Sequence, residues 1–418
     1  MMADRREDSE QPMPGLLPLL TTAIDAIGAS PFAREELLAN ICIEEKVFER
    51  EPPLATGGSF HVVRSQPDTL LKYIDSKFKV DMIHRFVLLQ HNNVILRTPK
   101  TAVDGRSVPG QKVLDSISAE IAILQSDHLQ KHENIINMLG ICWEICNGRD
   151  RSVMPVLVLE TAEGGDLSTY LQNTAEINAR DRLRLSVHCF QGLHAVHNVG
   201  VIHADMKPEN ILVYIDNEGR PNAKLADFGC SLLESELEGR TKLDSGTPLW
   251  QSPKASEFLG PQELRQADIY SLSLVASLLL IGHPMYAVLE QVQKSGDGGM
   301  SLHDLKTEDG ALASLIIRMQ EEAESCGSAL FTGDLSTLIS FFFRLMLSDE
   351  EGVQEAGAML PLKLLRTMLH REITFTAQDN VQVFETLDRL EKDVYLCPSK
   401  PPVISIPRLR GFIGGGCV

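Results

Sequence analysis

The chain has no pattern of paired cysteines. Its eight, Cys42, Cys142, Cys146, Cys189, Cys230, Cys326, Cys397 and Cys417, include no Cys-x-x-Cys pair and no histidine cluster at zinc spacing. That excludes the usual structural zinc sites and fits a reducing compartment. No stretch reaches the roughly 18 consecutive apolar residues that a membrane-spanning helix needs. The N-terminal "MMADRREDSEQPMPG" and the "LLPLLTTAIDAIG" after it offer neither the basic lead nor the cleavage site of a secretory signal. Cys417 stands next to last rather than fourth from the end, which excludes prenylation. Positive charge is scarce: 39 Lys and Arg against 57 Asp and Glu leave a net charge of −18. A field of that sign argues against nucleic acid or an anionic membrane as the main partner. No internal repeat is found. These absences lead us to expect a soluble cytoplasmic protein, with nuclear access left open, no membrane insertion and no nucleic acid.

What is there is a core. Hydrophobic residues make up 43 % of 418 positions, enough for one large domain or two to three smaller ones. Residues 1–50 read as a polar tail with a short helix. "LATGGSFHVVRSQPDTLLKYI" at 54–74 alternates around a Ser-Gln-Pro-Asp turn, a hairpin signal. Residues 75–112 are locally basic, seven Lys or Arg against three Asp. "DSISAEIAILQSDHLQ" puts Ile117, Ile121 and Leu124 on one helical face. Two strand-like runs follow, "NMLGICWEI" and "VMPVLVLE", and beyond residue 164 the periodicity is helical. Strands first and helices afterwards predict a β-rich part joined to an α-rich part.

One stretch gathers chemistry. "GVIHADMKPENILVY", residues 200–214, sets a carboxylate (Asp205), a cation two positions on (Lys207) and a carboxamide (Asn210) between apolar runs. A second acid, Asp227, follows in "AKLADFGCS". Transfer of a phosphoryl group from ATP asks for this set. A carboxylate must reach the attacking hydroxyl, cations must meet dispersed negative charge, and hard oxygen ligands must hold Mg²⁺.

Over residues 54–368 the sequence resembles the eukaryotic protein kinases. "HADMKPEN" stands where that family has HRDLKPEN, and "DFG" is intact at 227–229. The resemblance implies an α+β, bilobal protein-kinase-like fold, with a small β-rich N-lobe at 51–160 and a larger, mainly α-helical C-lobe at 161–370. Residues 371–418 form a C-terminal extension, and 75–112 read as an insertion in the N-lobe. The implied activity is ATP- and Mg²⁺-dependent transfer to serine or threonine of a protein substrate. Asp205 is then the catalytic base, Lys207 steadies the γ-phosphate, and Asn210 and Asp227 hold magnesium. Lys72 in "LLKYI" pairs with the phosphates and Glu120 is its helix partner. Gly57 and Gly58 belong to the phosphate loop. Leu159 is the gatekeeper, Glu160 and Ala162 offer backbone groups to adenine, and Asp166 lies near the ribose. "GTPLWQSPK" resembles the end of the activation segment, and Asp268 the acid that braces the catalytic loop. Lys207 and Thr247 resemble the serine/threonine branch.

Four departures are visible. Thr56 and His61 replace the first and third glycines of the phosphate loop, which loosens the grip on ATP, because backbone approaches phosphate most easily at glycine. Lys254 replaces the glutamate of the family's APE motif, and "SDEEGVQEAGAML" lacks the arginine that pairs with it. Losing both partners of a buried ion pair is far less costly than losing one. Ala204 replaces the arginine that, in many members, binds a phosphate on the activation segment. The Lys72–Glu120 separation is long, which is why 75–112 reads as inserted. That insertion is either a disordered loop or a docking surface for an acidic partner. The competing functional reading is a pseudokinase, a nucleotide-binding or scaffold module. A small-molecule kinase on the same fold is the more distant one.

Overall fold

A computed structural model describes residues 111–145, 153–174, 176–243, 246–282, 302–308, 310–347 and 357–371, with strands at 42–44, 55–56, 60–64 and 94–99. The chain divides into two compact units. One comprises 1–125, 137–161 and 405–418; the other comprises 126–136 and 162–404. The fold is α+β and bilobal, in keeping with the sequence pattern.

The first unit is built on a six-stranded sheet. Its strands are β1 (Cys42–Glu44), β2 (Ala55–Thr56), β3 (Phe60–Arg64), β4 (Val94–Pro99), β5 (Met138–Ile145) and β6 (Val153–Glu160), and their order across the sheet is β1-β5-β6-β4-β3-β2. All neighbours run antiparallel except β1, which is parallel to β5. Pro99 closes β4 opposite Phe60, at a strand end, where a missing N–H costs least. Helix α1 (Gln111–Leu124) buries Ile117, Ile121 and Leu124 at 0 to 1 % exposure, the face its periodicity predicts.

One expectation changes here. Residues 94–99 and 111–112, expected inside an insertion at 75–112, are elements of this unit. The strand that pairs with β3 on the side away from β2 is β4, "VILRTP". Lys72 of "LLKYI", and the rest of the hairpin beyond Arg64, lie outside the described residues.

The second unit is mainly helical. α2 (Leu167–Asn173) and α3 (Ala179–Asn198) lead into β7 (Val201–Ile202), the hairpin β8 (Ile211–Ile215) and β9 (Pro221–Leu225), and β10 (Leu232–Leu233), which pairs with β7. Then come α4 (Pro261–Leu280), α5 (Leu302–Thr307), α6 (Ala311–Ser325), α7 (Asp334–Met346) and α8 (Met359–Arg371). From Ala267 to Leu280 every residue of α4 is buried, the mark of a helix at a core's centre. Its serines turn back on its own carbonyls, Ser271 Oγ to Ala267 O at 2.9 Å and Ser273 Oγ to Ile269 O at 2.7 Å. Arg182 of α3 donates to the Leu279 carbonyl at 3.2 Å, so a helix end that burial would leave unsatisfied is capped. Phe342 meets Phe190 and Phe343 edge to face, with centroids 6.0 and 5.2 Å apart. α3 comes so close to the 126–136 strip that a Cβ on Gly192 would stand 2.6 Å from the Asn134 carbonyl. Among the described residues no helix is long and apolar enough to cross a membrane.

Candidate active site

The loop after β7 is fixed from beneath by one buried acid. Asp268 of α4, 2 % exposed, accepts from the His203 amide on Oδ2 and the Ala204 amide on Oδ1, both at 2.8 Å. His197 Nε2 meets Oδ2 at 3.0 Å. A buried carboxylate with three donors avoids most of the penalty of desolvation. Ala204 sits in the left-handed region at φ 65°, which costs a non-glycine residue on the order of 1–3 kcal/mol. The two backbone hydrogen bonds donated to Asp268 hold it there.

That turn delivers Asp205. Its Oδ2 accepts from Lys207 Nζ at 2.5 Å and Asn210 Nδ2 at 3.1 Å, and its Oδ1 from Thr247 Oγ1 at 3.2 Å. Lys207 Nζ also donates to Thr247 Oγ1 at 3.2 Å. Asn210 Nδ2 reaches the Asp205 carbonyl at 2.8 Å as well. Its amide hydrogens are thus turned on Asp205, and the acceptor it has left is Oδ1. A carboxylate has about four acceptor sites; with three of them engaged, the open one is on Asp205 Oδ1.

Asp227 stands two residues after the end of β9. The Ala226 amide donates to the Asn210 carbonyl at 2.9 Å, and the Ala226 carbonyl meets His203 Nε2 at 3.0 Å. The residue before Asp227 is therefore tied to the loop that carries Asp205 and Asn210. Asp227 is itself in the left-handed region, φ 63°, and accepts from the Gly229 amide at 3.2 Å. Phe228 is fully buried with its ring centroid 5.0 Å from that of His203. Asn210 Oδ1 and the Asp227 carboxylate are hard oxygen donors, the kind magnesium takes.

In the first unit Glu120 is buried on α1, at 1 % exposure. Leu159 is buried at 6 %. The Glu160 amide donates to the Asn137 carbonyl at 3.2 Å, and its Oε1 accepts from the Asn137 amide at 2.8 Å. In the second unit Ala162 is buried at 5 %, and Asp166 caps α2, accepting from the Thr169 amide at 2.9 Å and hydroxyl at 2.7 Å. Gly57, Gly58 and Lys72 lie outside the described residues. Thr56 and His61 stand directly opposite each other on β2 and β3.

Sequence reasoning found Asp205, Lys207 and Asn210, which the structure joins by hydrogen bonds, and the acid, Asp268, beneath them. It missed His197 and the His203–Phe228 contact, because partners from distant elements leave no local pattern. It used Thr247 only as a branch marker, whereas the hydroxyl bonds Asp205. It did not weigh Arg97, the basic residue on β4, which pairs with Val62 and Leu157.

Comparison with known proteins places the sequence in a family. The sequence model of the protein kinase domain family matches residues 99–331, more than half of the chain. The serine/threonine-protein kinase DCLK1 of Rattus norvegicus is 28% identical over 170 residues, 41% of this chain and 36% of its own length. The serine/threonine-protein kinase ste20 of Emericella nidulans is 32% identical over 176 residues, 41% of this chain and 18% of its own. The CBL-interacting protein kinase 8 of Oryza sativa subsp. japonica is 29% identical over 181 residues, 43% of this chain and 37% of its own. The matched stretch thus spans less than two fifths of each relative.

Proposed function

Since the chain belongs to the protein kinase family, we propose that it is a serine/threonine protein kinase, transferring the γ-phosphoryl group of ATP to hydroxyls of a protein substrate. The observation that carries this is the hydrogen-bonded set of Asp205, Lys207, Asn210 and Thr247. Asp205 Oδ1 takes the substrate hydroxyl's proton as the hydroxyl oxygen closes on the γ-phosphorus. The bond to the bridging oxygen breaks, and ADP leaves with that electron pair. Lys207 lies beside the base and faces the charge on the transferring group. Asn210 Oδ1 and Asp227 would hold magnesium, which would neutralise phosphate charge. On the same reading, Leu159, Glu160, Ala162 and Asp166 are the residues proposed for the nucleoside, and Gly57 and Gly58 those for its phosphates.

The cation that pairs with the phosphates belongs on the strand preceding the helix of Glu120. The register of β4 favours Arg97 for this place over Lys72. A guanidinium is not equivalent to an ammonium there. Together with Thr56 and His61 on the phosphate loop, Arg97 supports a second reading, a nucleotide-binding module that transfers slowly or not at all. Radiolabelled ATP with purified full chain and a generic protein substrate separates the two. Label on the substrate, lost in Asp205→Asn, is the expected result; equal incorporation by both proteins, or none by either, overturns the kinase reading.

A further inference from the structure

The family braces its substrate-binding segment with a glutamate–arginine ion pair, and here Lys254 stands in the glutamate's place. Another group does the bracing. Lys306, on α5, donates from Nζ to the carbonyls of Pro248, Leu249 and Gln251 at 3.0, 2.8 and 2.7 Å. An ammonium has three hydrogens, and all three are used on one short run of backbone. Three carbonyls can converge on one nitrogen only if the chain curls around it.

The rest of the segment agrees with that shape. Thr247 O accepts from the Trp250 amide at 2.9 Å and the Gln251 amide at 3.1 Å, and Trp250 is buried to 2 %. Gly246 turns at φ 120°, and a Cβ there would lie 2.5 Å from Gln251 Nε2. At the near end of the curl the Thr247 hydroxyl bonds Asp205 and Lys207. The run from Thr247 to Gln251 is therefore held at one end by the catalytic carboxylate and at the other by Lys306. Burial draws the Lys306 ammonium down to about 7, the cost of removing a cation from water. The three carbonyl dipoles offset that cost by favouring the charged form.

We propose that Lys306 is a positioning residue for substrate binding, fixing the Gly246–Gln251 backbone that presents Thr247 to Asp205, in place of the family's glutamate–arginine brace. The inference rests on the kinase reading for its function, but not for its structural content. Two variants of the full chain, Lys306→Met and Lys306→Arg, test it by hydrogen exchange and by steady-state kinetics. In Lys306→Met, amides of 246–256 should exchange about tenfold faster while those of α3 and α4 stay within about threefold. The KM for a peptide substrate should rise about tenfold, with the KM for ATP within about twofold. Lys306→Arg keeps the charge, but its flat fork cannot meet three converging carbonyls, so both effects should be intermediate. Wild-type exchange over 246–256 in Lys306→Met overturns the proposal, whether or not the chain transfers phosphate. So does faster exchange spread evenly over α3 and α4 in both variants. A wild type without transfer, beside the expected exchange result, overturns the kinase reading alone.

Discussion

Ala204 is strained and lacks a side-chain donor, yet the loop around it is intact, because Asp268 binds the backbone and ignores the side chain. That separation of backbone from side chain explains how the family's arginine can be lost without losing Asp205. The test of which cation serves the phosphates belongs to the same scale. If Arg97 does, Arg97→Met should slow transfer on the order of a hundredfold, in the range found for removing one transition-state donor. Lys72→Met should then stay within about threefold of wild type; the reverse pattern would return the role to Lys72. A third residue predicts acid sensitivity. Burial and the Arg184 charge lower the His188 imidazole to about 4, well below its usual 6.5. Above pH 6.5 both folded and unfolded chains are neutral there, and the stability is fully present. As pH falls from 6.5 towards 4 the unfolded chain binds a proton that the folded one refuses, so stability drops, by about 2 kcal/mol allowing for partial exposure. His132 and His194, also lowered by burial, act in the same direction. Urea midpoints at pH 7 and pH 5 should differ less in His188→Gln than in wild type.

Among elements, the activation segment is tethered without a phosphate. Glu234 forks onto Arg265 of α4, with Nη2 to Oε2 at 2.7 Å, and the Glu234 amide donates to the Gly200 carbonyl at 2.9 Å. Arg240 meets Glu263 at 2.9 Å and donates to the Phe258 carbonyl at 2.7 Å. Thr241 and Leu259 exchange backbone hydrogen bonds at 2.8 and 2.7 Å. The bidentate Glu234–Arg265 pair supplies the kind of order that a phosphate and an arginine supply elsewhere. Activity should therefore survive phosphatase treatment, and Thr241→Ala and Ser245→Ala should stay within about threefold of wild type. A hundredfold loss restored by rephosphorylation, about 2.7 kcal/mol of transition-state stabilisation, would show the tethers to be insufficient. Legibility also differed by element. The α1 face and the strands "NMLGICWEI" and "VMPVLVLE" could be read because their periodicity is local. β4 was absorbed into an expected insertion, because a strand's slot is set by hydrogen bonds to distant partners and "VILRTP" is too short to declare itself.

Across the whole molecule, two features of the sequence were readable for different reasons. The division into a β-rich and an α-rich part followed from the order of patterns along the chain. The hydrogen-bonded loop of Asp205, Lys207 and Asn210 stood out through dense spacing of polar residues between apolar runs. The brace by Lys306 was not readable, since nothing marks one helical lysine among 39 basic residues as facing three carbonyls. At this scale the kinase reading predicts that Mg-ATP stabilises the chain. Nucleotide at 100 times its dissociation constant should add about 2.7 kcal/mol to unfolding, seen as a raised Tm. No shift at millimolar Mg-ATP, with the protein folded, would show that Asn210 and Asp227 do not hold a metal–nucleotide complex.

The 126–136 strip carries a consequence in time. Although its neighbours on either side belong to the first unit, it lies along β9 in the second. Ile136 N donates to Leu225 O and Leu225 N to Asn134 O, both at 2.9 Å. Asn134 Nδ2 reaches Asn222 Oδ1 and Ala223 O, partners 88 and 89 residues further on. On a ribosome adding roughly 5–20 residues per second, the strip waits some ~4–18 s for the strand that will hold it. Until then Ile135 and Ile136, buried to 1 and 2 % in the finished protein, lack their pairing with β9. The nascent chain is most open to chaperones and to misassembly in that interval, and it closes when Leu225 emerges.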